Sequence, residues 1–159
     1  MSLRPVLLAL LFCIAPLRAH SSDCSHATVL WVHDGDTLGV SCGSGKPVKI
    51  RVADIDAPEL EQAYGLASRD ALASRVQGQH VILHPRARDR YGRTVATIEL
   101  DGRDVGLQLV ADGLAWCGMR PSSNCREALQ EVQRRRLGLW ADVDPQPPWQ
   151  WRRQHPQRH

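Results

Sequence analysis

Carboxylate and guanidinium side chains recur at short spacings in three stretches of this chain: Asp34-Gly35-Asp36-Thr37, Arg51 with Asp56-Ala57-Pro58-Glu59, and Asp89-Arg90-Tyr91-Gly92-Arg93. Asp36 and Asp56 are hard oxygen donors suited to Ca²⁺ or Mg²⁺ and not to a soft metal. Each is equally a residue type that caps a turn or a strand end. A carboxylate such as Glu59, three residues past Asp56, can polarise water beside a metal for attack on phosphorus. Taken alone, and following Pro58, it reads as a solvated helix-start residue. Arg51 and Arg93 carry fixed positive charge, which suits a centre where charge develops on phosphoryl oxygens; an arginine in a strand is otherwise ordinarily a surface residue. A fourth segment, Gly113-Leu114-Ala115-Trp116, also stands out but carries no charge.

Short strands flank these groups and must position them. Thr28 to His33 and Thr37 to Cys42 are β-branched or apolar runs separated by Asp-Gly-Asp, and a third run follows Gly43-Ser44-Gly45 and ends near Ile55, which predicts a three-strand meander. Leu66, Leu72, Ala73 and Val76 share one helical face, with Gly78 as a stop. Val81 to Leu83 and Thr94 to Leu100 read as two more strands, with Arg-rich Pro85 to Arg93 between them. Asp104 can cap a short helix running to about Asp112. Asn124 with Glu127 resembles a capping box, opening a helix whose face of Cys125, Ala128, Leu129 and Val132 is apolar and which ends at Gly138. The remainder is rich in Pro, Trp and Arg, lacks periodicity, and reads as an irregular tail. The expected fold is α+β, five strands able to close into an oligonucleotide-binding (OB) type β-barrel with three helices. Strict strand alternation puts Arg51 and Asp56 on opposite faces, so they converge only if the strand ends or bulges before Asp56.

In this order and at these spacings the four segments resemble the staphylococcal nuclease (thermonuclease) family, from about Thr28 to Trp140. A lone D-G-D-T is only a turn; the joint match of R-x4-D-x2-E with D-R-Y-G-R carries the likeness. The resemblance implies Ca²⁺ held by Asp36, Asp56 and the backbone carbonyl of Ala57, with water completing the shell and Asp34 nearby. It implies Glu59 as general base or water-orienting group. It implies Arg51 and Arg93 on the developing phosphoryl charge, Arg93 assisting the leaving oxygen. Tyr91 would contact a terminal phosphate or stack near a base, and Arg90 replaces the lysine usual there. Two departures matter for substrate. The stretch from Glu59 to Tyr64 is shorter than the family's loop, and the substrate-holding tyrosines after Gly-Leu-Ala have no match in Trp116 to Arg120. Asp54 is a further departure, a carboxylate where the family has an apolar or small residue.

The 159 residues, 43% hydrophobic and 23% charged, make one soluble domain and exclude disorder, collagen and coiled coil. Arg4, the apolar run Val6 to Ala15 and a small residue at Ala19 have the layout of a secretory signal peptide over residues 1–19. The domain would then span 20–143 and the tail 144–159. Loss of Arg4 and Arg18 lowers the formal balance from +3 to +1, so net charge alone argues for no partner. The cations are almost all arginine, suited to bidentate phosphate contacts. Without Cys13, four cysteines remain, an even number that favours two disulfides in an oxidising compartment. Three connectivities are open; the expected one is Cys24 with Cys42, tying adjacent early strands, and Cys117 with Cys125, closing a short loop before a helix. Arg134, Arg135 and Arg136 spread around their helix and read as solvated. Trp149 and Trp151 could stack bases, but anchoring the tail is the better reading; His26, His33, His80 and His84 match no catalytic position. The expectation is an exported, periplasmic or extracellular, monomeric Ca²⁺-dependent phosphodiesterase for single-stranded or frayed DNA and RNA, with no membrane contact after leader removal. The alternative is a catalytically inert nucleic-acid-binding module, which the retained acidic and arginine positions disfavour.

Overall fold

Alternating burial builds the sheet. In β1 (His26–Val32) Ala27 and Val29 point inward, in β2 (Thr37–Ser41) Leu38 and Val40, and in β3 (Val48–Val52) Ile50 and Val52. The computed structural model describes residues 24–43 and 45–156, so the expected leader lies outside the described residues. A two-residue strand β4 (Ile55–Asp56) follows, then helix α1 (Gly65–Val76), β5 (His80–Arg88), β6 (Thr94–Leu100) and a short β7 (Arg103–Asp104). Next come α2 (Val105–Ala111), β8 (Trp116–Cys117), α3 (Ser123–Arg135), a 3₁₀ turn (Gly138–Ala141) and α4 (Pro148–Gln154).

The strands run in the order β3-β2-β1-β5-β6, and a parallel pairing of β3 with β6 closes them into a five-stranded barrel. This is the expected OB-type α+β architecture. Its core joins Leu38, Ile50, Leu83 and Ile98 of the barrel to Leu72 and Val76 of α1 and to Val105 and Leu109 of α2, all essentially solvent-free. β4 pairs with β8 outside the barrel, carrying Asp56 against Trp116. Among the described residues no helix is long and apolar enough to cross a membrane.

Several local expectations change. The Arg-rich stretch after Pro85 is not a loop: β5 continues to Arg88 through a register shift between Pro85 and Ala87, leaving only Asp89 to Arg93 as the turn. Asp104 does cap α2, accepting from the Leu107 N–H at 3.1 Å. Helix α3 starts two residues earlier than expected, because Ser122 and not Asn124 caps it, accepting from the Cys125 N–H at 3.2 Å. The irregular tail is corrected most: Pro147 stays extended as the cap, Pro148 presets φ for the first helical position, and α4 forms a fourth helix beyond the three expected. Both disulfides have the expected pairing, Cys24 with Cys42 and Cys117 with Cys125.

Candidate active site

The turn between β1 and β2 shapes the first part of the site. Asp34 Oδ1 accepts the Asp36 N–H at 2.9 Å, an Asx turn that aims the Asp36 side chain inward. Gly35 is required there, since a Cβ would overlap Ser68 of α1 and the Ala57 methyl group. Asp36 Oδ2 then accepts the Ala57 N–H at 2.8 Å and faces Arg51 Nη1 at 3.0 Å. Burial pushes the Asp36 carboxyl up to about 7 against the opposing pull of Arg51.

Arg51 reaches Asp56 because β3 stops. After Val52 the chain turns through Ala53 and Asp54, whose φ of 62° is left-handed, and returns as β4. Asx residues tolerate that conformation. The turn overrides strand alternation: Arg51 Nη2 donates to Asp56 Oδ1 at 3.0 Å, while Nη1 donates to the carbonyls of Val52 and Ile55. Three acceptors and the Asp36 ion pair around one guanidinium fix its position. Asp54 itself points elsewhere and pairs with Arg86 on the β5 bulge, which accounts for the unexplained carboxylate.

Arg93 enters from the β5–β6 turn. Asp89 Oδ1 accepts the N–H groups of both Tyr91 and Arg93 at 2.9 Å, and its Oδ2 accepts from Arg93 Nε at 2.7 Å. Desolvation opposes ionisation of Asp89, but the hydrogen bonds from Arg93 outweigh it and hold the carboxyl below its ordinary value. Gly92 supplies the positive φ of 78° that this turn needs. Arg93 Nη1 donates to Thr37 Oγ1 at 3.1 Å, and that hydroxyl donates to Asp36 Oδ1 at 3.2 Å. Tyr91 is exposed, its ring beneath the guanidinium of Arg90 at 4.9 Å and that of Arg93 at 5.4 Å.

Glu59 does not start a helix: α1 begins only at Gly65, and a turn in which the Gln62 N–H donates to the Glu59 carbonyl leaves the carboxylate facing Asp56 from the loop. Between Asp56 and Glu59 lies Arg152 of α4, with Nη1 donating to Glu59 Oε1 at 2.8 Å and Nη2 to Asp56 Oδ2 at 2.8 Å. A continuous polar chain therefore runs Arg93–Thr37–Asp36–Arg51–Asp56–Arg152–Glu59. It joins Asp36, Arg51, Asp56, Glu59 and Arg93 and leaves Arg90 and Tyr91 at the rim. Sequence reading missed the linking roles of Thr37 and Asp89, although both lie inside the quoted motifs. It also missed Arg152, for which no periodic or motif signal existed. Trp149 does anchor the tail, its ring edge-on to Trp116 at 5.5 Å, while Trp151 stacks on His155. Arg134 pairs with Glu131 in solvent, as expected of a solvated face.

Asp36 and Asp56 converge on one guanidinium, so their oxygens share a common approach, and the Asp36 carboxyl is buried beyond what Arg51 compensates. An all-oxygen pair short of positive charge fits a hard divalent cation. Among the described residues no three His, Cys, Asp or Glu side chains gather as a ready metal cage, so such an ion would draw its other ligands from backbone oxygen and water.

A family model described as staphylococcal nuclease homologue matches residues 49–142. A Haemophilus influenzae protein called an uncharacterized endonuclease is 36% identical over 151 residues, 94% of this chain and 85% of its own length. A similarly named Escherichia coli O157:H7 protein is 42% identical, covering 80% of this chain and 84% of itself. A Shigella flexneri protein called micrococcal nuclease is 37% identical over 79% of each chain.

Proposed function

Since the chain belongs to the staphylococcal nuclease family, we propose that it is an exported, Ca²⁺-dependent nuclease that hydrolyses phosphodiester bonds of DNA and RNA. The observation that carries this reading is the unbroken polar chain that brings the carboxylates of Asp36, Asp56 and Glu59 and three arginines, one of them holding Glu59, to one end of the barrel. Asp36, Asp56 and the Ala57 carbonyl would hold Ca²⁺, which supplies Lewis-acid polarisation of a phosphoryl oxygen and of water when bound.

The protein groups do the rest. Glu59 takes the proton of the attacking water, because its carboxylate stands beside Asp56 on a turn open to solvent. Arg51 lies between both acidic ligands and offers the Nε–H and Nη2 edge that its backbone partners leave open to a non-bridging phosphoryl oxygen, stabilising charge that grows as the nucleophile adds. Arg93, aimed by Asp89 and Thr37, stabilises the departing oxygen. Arg90 and Tyr91 engage the flanking phosphate or base. Two disulfides in so small a domain suit an oxidising compartment.

The test is a time course on single-stranded DNA with wild type, Glu59→Gln and Asp36→Asn, each with calcium and with chelator. Loss of a general base costs about 10²–10⁴-fold in rate, so Glu59→Gln should fall by at least that while still binding calcium. Asp36→Asn should lose both. Wild-type cleavage that persists in chelator overturns the mechanism, and nucleic-acid binding without cleavage favours the inert module.

A further inference from the structure

The tail helix brings a third guanidinium to the site that neither the motifs nor the barrel supply. Arg152 Nη1 also reaches Asp56 Oδ1 at 3.2 Å, so its two terminal nitrogens grip Asp56 and one of them holds Glu59. Asp56 is thus flanked by Arg51 and Arg152 together. The helix that delivers Arg152 is docked by side chains, not by the sheet. Trp149 packs edge-on to Trp116, which also meets Trp140 at 4.3 Å, Pro148 is buried, and Gln62 Nε2 donates to the Gln146 carbonyl. Trp116 opens the segment that lacks the family's substrate-holding tyrosines, so the tail packs where those residues are missing.

Charge decides what Arg152 does there. With Asp36 ionised, as a bound cation would require, Asp34, Asp36, Asp56 and Glu59 carry four negative charges against the two of Arg51 and Arg152, because Arg93 is matched by Asp89. A divalent cation on the acidic pair cancels that deficit of two, so a phosphodiester meets a neutral site. Without Arg152 the same loaded site would be negative before substrate arrived and would repel it. Arg152 is also about half exposed, whereas Arg51 is mostly enclosed. Among the described residues its Nε–H and one Nη2 hydrogen have no protein acceptor. These are the hydrogens of a planar fork that a phosphate can accept in bidentate fashion.

We propose that Arg152 is a substrate-binding residue, a tail-borne arginine that clamps the phosphodiester beside Arg51 and replaces the missing tyrosine contacts. The proposal rests on the nuclease reading. When the acidic pair receives its cation, Arg152 keeps its hydrogen bond to Glu59 and turns its free edge from Asp56 toward the phosphate. It therefore orders substrate more than it assists bond cleavage.

The experiment uses the full chain with Arg152→Ala and Arg152→Lys. It measures binding of a nuclease-resistant phosphorothioate single strand by fluorescence anisotropy in calcium, kcat and KM on single-stranded DNA, calcium affinity by calorimetry, and the thermal midpoint. A charge-assisted contact of this kind is worth about tenfold to a hundredfold. Arg152→Ala should weaken strand binding and raise KM by that factor, with a smaller change in kcat, calcium binding no weaker, and an unchanged melting midpoint. Arg152→Lys should recover part of the loss, since it keeps the charge and loses the fork. Unchanged strand affinity and KM in Arg152→Ala overturn the proposal. So does faster cleavage with tighter calcium binding, which would make Arg152 a plug in the cation's place, and so does a lower midpoint accounting for all the loss. A wild type that binds the strand through Arg152 yet never cleaves would instead sink the nuclease reading and leave the phosphate contact standing.

Discussion

Two arginine-rich regions of this molecule behave in opposite ways. The run Arg134-Arg135-Arg136 is the densest cationic stretch of the sequence, yet it ends a surface helix, and among the described residues Arg134 pairs with Glu131 alone, both largely in water. Arg51, Arg93 and Arg152 are scattered over a hundred residues and meet around Asp36 and Asp56, where solvent is scarce. An exposed pair gains little over two hydrated ions. A buried one holds its geometry, because each partner would be stranded without the other. Convergence in space, not density along the chain, decides which arginines share the candidate site.

The sharpest way to break that contrast is Arg51→Met. Removing the guanidinium leaves two carboxylates facing each other in a poorly solvated turn, and breaking a buried pair costs about 3–5 kcal/mol. Urea unfolding should show a loss of that order, and cleavage should vanish even where the protein stays folded. A variant of near-normal stability would mean that solvent reaches the cluster freely.

A middle-sized effect concerns pH. The Asp36 carboxyl ionises at 3.8 ordinarily and at about 7 in the folded protein, so the native state holds this proton more tightly than the unfolded one. Its stabilising contribution is complete below about pH 4 and drains away as pH rises to 7. In chelator, the thermal midpoint of wild type relative to Asp36→Asn should therefore fall across that range. Calcium should restore it most above pH 7, where the carboxylate is charged. A flat difference between the two proteins would remove the electrostatic reason for a cation there.

The smallest effect belongs to Arg134→Ala. Neither the thermal midpoint nor the cleavage rate on single-stranded DNA should move measurably at physiological salt. A clear fall in strand affinity would show that the surface run is a working phosphate track after all, and the contrast would fail.

Much of this arrangement is legible in residues. The Asp-Gly-Asp turn, the apolar runs of β2 and β3, the Asp104 cap and the cysteine pairing all depend on local chemistry, which sequence records. Legibility ended where tertiary packing overrode local rules. Strand alternation separates Arg51 from Asp56, and only the left-handed turn at Asp54 reunites them. Helix α4 is too short to show periodicity and exists by docking its Trp149 on Trp116. Its contact from Arg152 to Asp56 spans 96 residues, and no spacing rule reaches that far.

The parallel closure of β3 on β6 sets when the site can come into being. Arg51 lies opposite Val95 in that pairing, and Arg93 precedes β6 by one residue, so the two cations become neighbours only when that seam of the barrel is made. The β5–β6 hairpin forms from nearby chain, whereas the seam joins segments more than forty residues apart and must overcome a larger loop-closure entropy. A chain stalled as an open sheet would hold its hairpin, its capped helices and much of its core, and would still have its arginines on separate edges. Assembly of the cluster therefore waits on closure of the barrel, and a chain that has not made this seam lacks the joined site.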